Sequence, residues 1–142
     1  MSGLVRPKVI VLGAVIKENK ILLIKRTGKV FNGMWGLVGG KLETNETIKE
    51  GIIREVKEET SVDCEFLKTN YVLQVYVKEF NKSYIAFFST FKANSQTFVE
   101  SDEGPLNWFD INKLPKNIVK ADKWLIENCL DKELNTTFFK YD

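Results

Sequence analysis

The segment 39–62, GGKLETNETIKEGIIREVKEETSV, constrains the fold most, because it crowds six glutamates into 24 residues. Thr47 and Glu50 have the spacing of a capping box, which predicts that a helix begins at this point. Ile52 and Val56 follow four residues apart, as the apolar positions of a helix do. The segment therefore predicts a helix with one buried face and a strongly acidic remainder.

Three of these glutamates share one side of the predicted helix. Glu55, Glu58 and Glu59 stand at positions i, i+3 and i+4, which fall within an arc of roughly 100° beside the apolar stripe. Like charges at this spacing repel each other, and partial burial raises that cost. A divalent cation such as Mg²⁺ or Mn²⁺ would remove the repulsion, because carboxylate oxygens are the hard ligands that these ions prefer. A solvated acidic face is the alternative, although acidic side chains at a helix C-terminus oppose the helix dipole.

Length and composition fit a single domain over residues 1–142. The chain has no histidine, which excludes zinc sites and catalytic triads built on histidine. Its net charge of +2 gives no support for a nucleic-acid or membrane partner, and its longest apolar run is too short to span a membrane. Cys64 and Cys129 lie far apart in the sequence and predict no disulfide framework. Together with the lack of a recognisable secretory signal, these properties indicate a cytoplasmic protein.

Apolar runs separated by turn residues predict a layered domain of strands and helices. One helix begins at Thr47, and a second covers 121–130 with Trp124, Leu125 and Cys129 facing inward. Strands mixed with two helices indicate an α/β (α+β) fold. The predicted strands are 8–16, 21–26, 34–38, 71–77, 83–91 and 105–109, with a last one at 136–141.

The spacing of charged residues in segment 39–62 matches a known motif. Gly40 is followed after five residues by Glu46, and after seven more by Arg-Glu-Val-x-Glu-Glu at 54–59. This pattern resembles the Nudix box, and nearly the whole chain resembles a Nudix hydrolase. The resemblance implies an α/β/α sandwich around a mixed β-sheet. It also implies that Mg²⁺, with Mn²⁺ as a substitute, is held against a diphosphate by a loop–helix–loop.

The resemblance assigns roles to individual residues and leaves open which glutamate is the general base. The implied metal site consists of Glu55, Glu58 and Glu59 together with Gly40. Glu46 is expected to pair with Arg54 and brace the loop. The residues expected to take part in catalysis are Glu46, Arg54, Glu58, Glu59 and Glu103, and those expected to contact the substrate are Arg26, Gly39, Lys41 and Asp122.

Three positions depart from the family pattern. Ser61 stands where the box has glycine, at a helix end where glycine would allow a left-handed turn. Serine can adopt that conformation at some cost. Asn45 replaces a common glycine, and asparagine tolerates the left-handed region. Val38 stands where many family members have proline.

Other residues resemble the MutT-like branch, which includes oxidised-purine nucleoside triphosphatases. Members of this branch often lack the proline mentioned above, and they have an acidic loop before a Trp-Phe strand, as in VESDEGPLNWF. Glu100 or Glu103 of that loop is a candidate for a further metal ligand or general base, with turn formation as the alternative. Asp122 is expected to read a purine edge, unless it caps the second helix. Gly36 replaces a polar residue that can contact the base, which leaves base preference open.

The expected activity is Mg²⁺-dependent hydrolysis of a phosphoanhydride bond. The favoured substrate is a (d)NTP, with oxidised purines as one option, and the products are a nucleoside monophosphate and pyrophosphate. One alternative is hydrolysis of ADP-ribose or of a dinucleoside polyphosphate, the latter because Tyr76 stands near a tyrosine of that branch. Another is a catalytically silent module that binds nucleotide or a protein partner. A small nucleotide is the expected partner, without nucleic acid or membrane, and the family raises the expectation of a homodimer.

Overall fold

A six-stranded mixed sheet organises the chain in the computed structural model, which describes residues 5–141. The strands are β1 (Lys8–Lys17), β2 (Lys20–Lys25), β3 (Trp35–Lys41), β4 (Cys64–Val77), β5 (Lys82–Ala93) and β6 (Leu106–Asp110). Their order across the sheet is β4-β5-β1-β3-β2-β6. β1 and β5 run parallel, whereas the other paired strands are antiparallel.

Two helices cover the two faces of this sheet, α1 (Ile48–Thr60) and α2 (Lys120–Asn128). Successive residues of β1 point to opposite faces, so Val11 packs in the core under α1 and Leu12 in the core under α2. Because both faces are buried, β1 needs apolar residues at consecutive positions, as its sequence has. The predicted α/β/α sandwich around a mixed sheet is therefore confirmed.

Specific contacts define both ends of α1. Thr47 Oγ1 accepts a hydrogen bond from the Glu50 backbone N–H at 3.0 Å, and Glu50 Oε1 accepts one from the Thr47 N–H at 2.9 Å. The predicted capping box is thus confirmed. At the other end Ser61 is left-handed, with φ of 53° and ψ of 19°. Serine supplies the turn that glycine would give without strain, at a cost of about 1–2 kcal/mol.

Three expectations about local structure are wrong. Residues 136–141 do not form a strand, because they pair with no strand of the described sheet, and Phe139 is largely exposed. β4 begins at Cys64 rather than at position 71, since its polar first half also pairs with β5. Trp124 does not face inward but lies at the surface, where its ring packs against Tyr71 at a centroid distance of 5.7 Å.

Cys64 and Cys129 are both free, in agreement with the absence of a predicted disulfide. Burial raises the pKa of the Cys64 thiol to about 11, so the thiol is protonated at neutral pH. Within residues 5–141, no helix has the length and apolar character that crossing a bilayer requires.

Candidate active site

Glu59 is a buried carboxyl at the inner side of α1. Its side chain is 5% exposed, and its Oε1 accepts a hydrogen bond from the Gly39 backbone N–H at 2.8 Å. Burial raises the pKa of Glu59 to about 8, although the Gly39 hydrogen bond opposes the shift. The last turn of α1 is therefore fixed to the end of β3 through an ionisable group.

Glu55 lies one turn earlier, directly against Gly40. A Cβ at position 40 would stand 2.5 Å from the Glu55 carboxyl carbon, so any other residue there would displace the Glu55 carboxylate. Burial raises the pKa of Glu55, and the neighbouring Arg54 guanidinium partly offsets that shift. The glycine brings the β3 backbone and a carboxylate into contact with no side chain between them.

Arg54 ties the loop before α1 to the acidic face of the helix. Its Nε and Nη2 donate to the two oxygens of Glu46 at 2.8 and 2.7 Å, which is a bidentate pair. Nη2 also donates to the Lys41 carbonyl at 3.1 Å, and Nη1 to Glu55 Oε1 at 2.8 Å. Arg54 holds the pKa of Glu46 below its ordinary value. The predicted pairing of Glu46 with Arg54 is therefore present.

Glu58 stands apart from the other two carboxylates. Its side chain is 61% exposed, and Oε2 lies 3.4 Å from Arg54 Nη1. Among residues 5–141, no three acidic, histidine or cysteine side chains converge closely enough to hold a metal ion. The three glutamates nevertheless occupy one side of the last two turns of α1, and the exposed Glu58 side chain has room to rotate.

A cleft of about 700 Å³ passes along the end of β3 and under α2. It brings together predicted residues that are far apart in the sequence. Glu46, Arg54 and Glu58 do not line it. The predicted residues that do line it are Arg26, Gly39, Gly40, Lys41, Glu55, Glu59, Glu103 and Asp122.

Asp122 forms the part of the cleft that lies under α2. Its side chain is 7% exposed, and Oδ2 accepts a hydrogen bond from the Leu37 backbone N–H at 2.8 Å. Val119 occupies the N-cap position of α2, so Asp122 does not cap the helix. Burial raises the pKa of Asp122 to about 6, against the Leu37 hydrogen bond and the positive charge of Arg26. A Cβ at Gly36 would stand 2.9 Å from Oδ2, which explains the glycine beneath this carboxyl.

The acidic loop before β6 contributes Glu103 to the cleft and uses Glu100 structurally. Glu100 Oε2 accepts a hydrogen bond from the Leu106 backbone N–H at 2.9 Å. The negative charge of Glu103 further raises the pKa values of Glu55 and Glu59, so Glu103 is near enough to act on both carboxyls. Of the two candidates in this loop, Glu103 is therefore the one positioned at the acidic part of the cleft.

Arg26 lies between the acidic part of the cleft and Asp122. Its Nε donates to the Val30 carbonyl at 3.2 Å, which holds the side chain against the loop after β2. The positive charge of Arg26 partly offsets the raised pKa values of Glu59 and Asp122. Arg26 therefore acts on carboxyls at both ends of this part of the cleft. Arg26 is thus placed where it can meet an anionic ligand.

A family model for the NUDIX domain matches residues 6–129 of this chain. The match covers the Nudix box, the whole sheet and α2. The chain belongs to the Nudix family.

Several relatives carry specific names. An ADP-ribose pyrophosphatase from Methanocaldococcus jannaschii is 36% identical over 114 residues, covering 78% of this chain and 66% of that protein. An oxidized purine nucleoside triphosphate hydrolase from Danio rerio is 29% identical over 136 residues, covering 94% and 86%. A solved MutT Nudix hydrolase from Burkholderia pseudomallei matches with a TM-score of 0.78 at 26% identity, covering 86% of this chain and 97% of that one. The chain spans less than two thirds of some relatives, for example 28% of a putative Nudix hydrolase from Caenorhabditis elegans.

Several residues of the Nudix cleft were missed by the sequence analysis. The loop after β2 contributes residues 27–31, including Phe31 with φ of 58°. The sheet contributes Lys8, Lys82 and Tyr84, from β1 and β5. Strand alternation determines on which face of the sheet each of these side chains lies, but only the parallel pairing of β1 with β5 makes them neighbours.

Proposed function

We propose that this Nudix protein hydrolyses a phosphoanhydride bond in a nucleotide, with a divalent cation as cofactor. The first candidate substrate is a purine (d)NTP, oxidised purines included, with a nucleoside monophosphate and pyrophosphate as products. The cleft supports this function most, because it joins the partly buried Glu55 and the buried Glu59 to Arg26 and to Asp122. A nucleotide needs such an arrangement, with separate groups for its phosphates and its base.

The cation would be held by Glu55, Glu58 and Glu59 together with the Gly40 carbonyl. These groups fit Mg²⁺ or Mn²⁺, because all of them are oxygen donors. The space at Gly40, which a Cβ would fill, leaves the backbone open beside Glu55. When bound, the ion would neutralise charge on the phosphate oxygens and make a water molecule more acidic.

The other charged groups of the cleft would orient the substrate. Arg26 and Lys41 would bind phosphate oxygens, since guanidinium and ammonium groups donate strong hydrogen bonds to phosphate. Arg54 would not touch substrate but would hold the loop in place through Glu46 and the Lys41 carbonyl. Glu103 would take the proton of the attacking water, because it lies beside the acidic residues without being tied to them.

Asp122 would read the base. Within residues 5–141 the Asp122 carboxyl accepts a hydrogen bond at Oδ2, from the Leu37 backbone N–H. Its Oδ1 is therefore left for a ligand in the cleft. A carboxyl in this position distinguishes bases by hydrogen bonds to the purine edge, and a buried polar group rejects a ligand that leaves it unpaired. The similarity to the Danio rerio oxidized purine hydrolase supports a purine at this position.

ADP-ribose is the second candidate substrate, supported by the similarity to the Methanocaldococcus protein. A dinucleoside polyphosphate has less support, because Tyr76 lies outside the cleft, where its hydroxyl donates to Asn81 Oδ1 at 3.0 Å. A silent binding module is disfavoured by the burial of Glu59 and the partial burial of Glu55. Buried carboxylates are destabilising, and a module without metal chemistry has no need of them.

Product analysis over a substrate panel tests the proposed function. The panel contains dGTP, 8-oxo-dGTP, dATP, dCTP and ADP-ribose, each with Mg²⁺ or with EDTA. We expect Mg²⁺-dependent release of pyrophosphate from purine triphosphates at a higher kcat/KM than from dCTP. Faster release of AMP from ADP-ribose would make ADP-ribose the substrate instead. No turnover of any compound by the folded protein would contradict an enzymatic function.

A further inference from the structure

The cleft continues past the proposed metal site to a basic end formed by Lys8 and Lys82, here called the lysine end. Both lysines line the cleft, as does Tyr84 between them. Lys8 is the register partner of Tyr84 across β1 and β5. Lys82 precedes Tyr84 by two residues, so its side chain leaves the sheet on the same face. The strand pairing therefore brings two cations to one end of the same cleft.

The charge of the lysine end is not balanced by the protein. Among residues 5–141, every ion pair within 4.0 Å involves Arg54, so neither Lys8 nor Lys82 has a carboxylate partner. The other residues beside them in the cleft, Leu73, Val75 and Tyr84, are uncharged. Two cations that share an uncharged cleft wall repel each other, and an anion bound there would remove that repulsion.

Lys82 is too far from the metal site to bind the diphosphate that is cut. Gly40 is the register partner of Val11, and Val11 that of Phe87. Lys82 lies five residues before Phe87, a distance of roughly 16 Å along β5. Since β5 is two strands away from β3, Lys82 is also displaced by roughly 10 Å across the sheet. The Lys82 side chain does not bridge this distance to phosphates held at Gly40, whereas Lys8 lies nearer, three residues from Val11 on the strand next to β3. An anion that both lysines bind must therefore be a second group.

We propose that the lysine end is a binding site for a second phosphate of the substrate, remote from the phosphoanhydride that is hydrolysed. This inference rests on the proposed function and extends its substrate class to nucleotides that carry an additional phosphate. Such a phosphate is carried either by the ribose of the nucleoside or by the group on the other side of the diphosphate. Both sources present the same phosphate ester, which Lys8 and Lys82 bind through charge-assisted hydrogen bonds.

Calorimetric binding in EDTA tests this site without requiring turnover. One ligand pair is AMP and adenosine 3′,5′-bisphosphate, in which the added phosphate is on the nucleoside. The other pair is ADP-ribose and ADP-ribose 1″-phosphate, in which it is on the far group. We expect the added phosphate to lower Kd by about tenfold or more in one pair, and the pair that responds identifies the source.

Two double variants assign the effect to the lysine end. Lys8→Gln/Lys82→Gln is expected to abolish the gain from the added phosphate while it leaves the Kd of the parent compound within a factor of about three. Lys78→Gln/Lys116→Gln removes the same charge at exposed positions outside the cleft and is expected to retain the gain. Thermal unfolding of both variants verifies that they are folded.

Each result of this experiment has a defined meaning. Binding of AMP and ADP-ribose with no gain from either added phosphate overturns the inference and leaves the proposed function intact. An equal gain in wild type and in Lys8→Gln/Lys82→Gln overturns it as well, because the phosphate then binds elsewhere. If none of the four compounds binds to the folded protein, the inference is overturned, and the substrate panel with Mg²⁺ decides the proposed function separately.

Discussion

Replacement of Asp122 by asparagine should change the pH dependence of stability in a defined way. The pKa of Asp122 rises from its ordinary value of 3.8 to about 6 on folding, mainly through burial. Because one pH unit corresponds to about 1.4 kcal/mol, the difference amounts to about 3 kcal/mol. Asparagine keeps an oxygen that can accept the hydrogen bond from Leu37 but has no charge to bury.

The sign follows from proton uptake on folding. Well below pH 4 Asp122 is protonated in both states, so the buried group carries no charge penalty. Between pH 4 and 6 the folded state holds a proton that the unfolded state has lost, so wild-type stability falls relative to Asp122→Asn as the pH rises. Above pH 6 the difference is constant. We expect Asp122→Asn to gain about 2 kcal/mol over wild type between pH 4 and pH 7, which is most of the full difference, beyond any pH-independent offset.

Urea unfolding at half-unit intervals from pH 4 to pH 8 measures this difference. Asp102→Asn, a substitution at an exposed loop position, serves as the matched control and should follow the wild-type curve. The opposing charge near Asp122 is that of Arg26, which is already included in the expected shift. Parallel curves for wild type and Asp122→Asn would refute the reasoning, because they would mean that Asp122 has the same pKa in both states.

Four further single substitutions test the local geometry. Ser61→Gly should raise the free energy of unfolding by about 1 kcal/mol in urea titrations, because glycine relieves the left-handed strain, and no gain would show that this strain is absent. Gly40→Ala should lower kcat at least about tenfold, because the alanine Cβ would displace the Glu55 carboxylate. Circular dichroism should show that the fold of this variant is intact. An unchanged kcat would contradict the placement of Glu55 against Gly40. Arg54→Lys and Glu46→Gln should each destabilise the protein by about 1–3 kcal/mol, because each breaks the same bidentate pair. The double variant should therefore lose clearly less than the sum of the two single losses. Additive losses would argue against that pair.

Features encoded by local spacing were predictable from the sequence. The capping box of Thr47 and Glu50 and the pairing of Arg54 with Glu46 depend on residues within one helix and the loop before it. The geometry of the capping box follows once the helix forms, whereas the pairing of Arg54 with Glu46 was expected from the resemblance to the Nudix box. A layered domain of strands and helices was also predictable from the apolar patterns, whereas the α/β/α sandwich was expected from the resemblance to the Nudix family.

Features that depend on strand order were not predictable in this way. Lys8 and Lys82 are 74 positions apart, and they share a cleft only because β1 pairs with β5 in parallel. The tail at 136–141 has the composition of a strand, but composition cannot supply a partner strand. Trp124 fits an apolar helical stripe, yet α2 has already buried Leu125 and Ile126, which leaves the indole against Tyr71 at the surface.

The rate of Mg²⁺-dependent pyrophosphate release by wild type and by Glu59→Gln tests the central claim most directly. The claim is that the carboxylates beside Gly39 and Gly40 support phosphoanhydride hydrolysis in this cleft. Glu50→Gln removes an exposed carboxylate from the same helix and serves as the matched control. We expect Glu59→Gln to lose a factor of about 10² or more in kcat, and Glu50→Gln to stay close to wild type. Near wild-type turnover by folded Glu59→Gln would contradict the account.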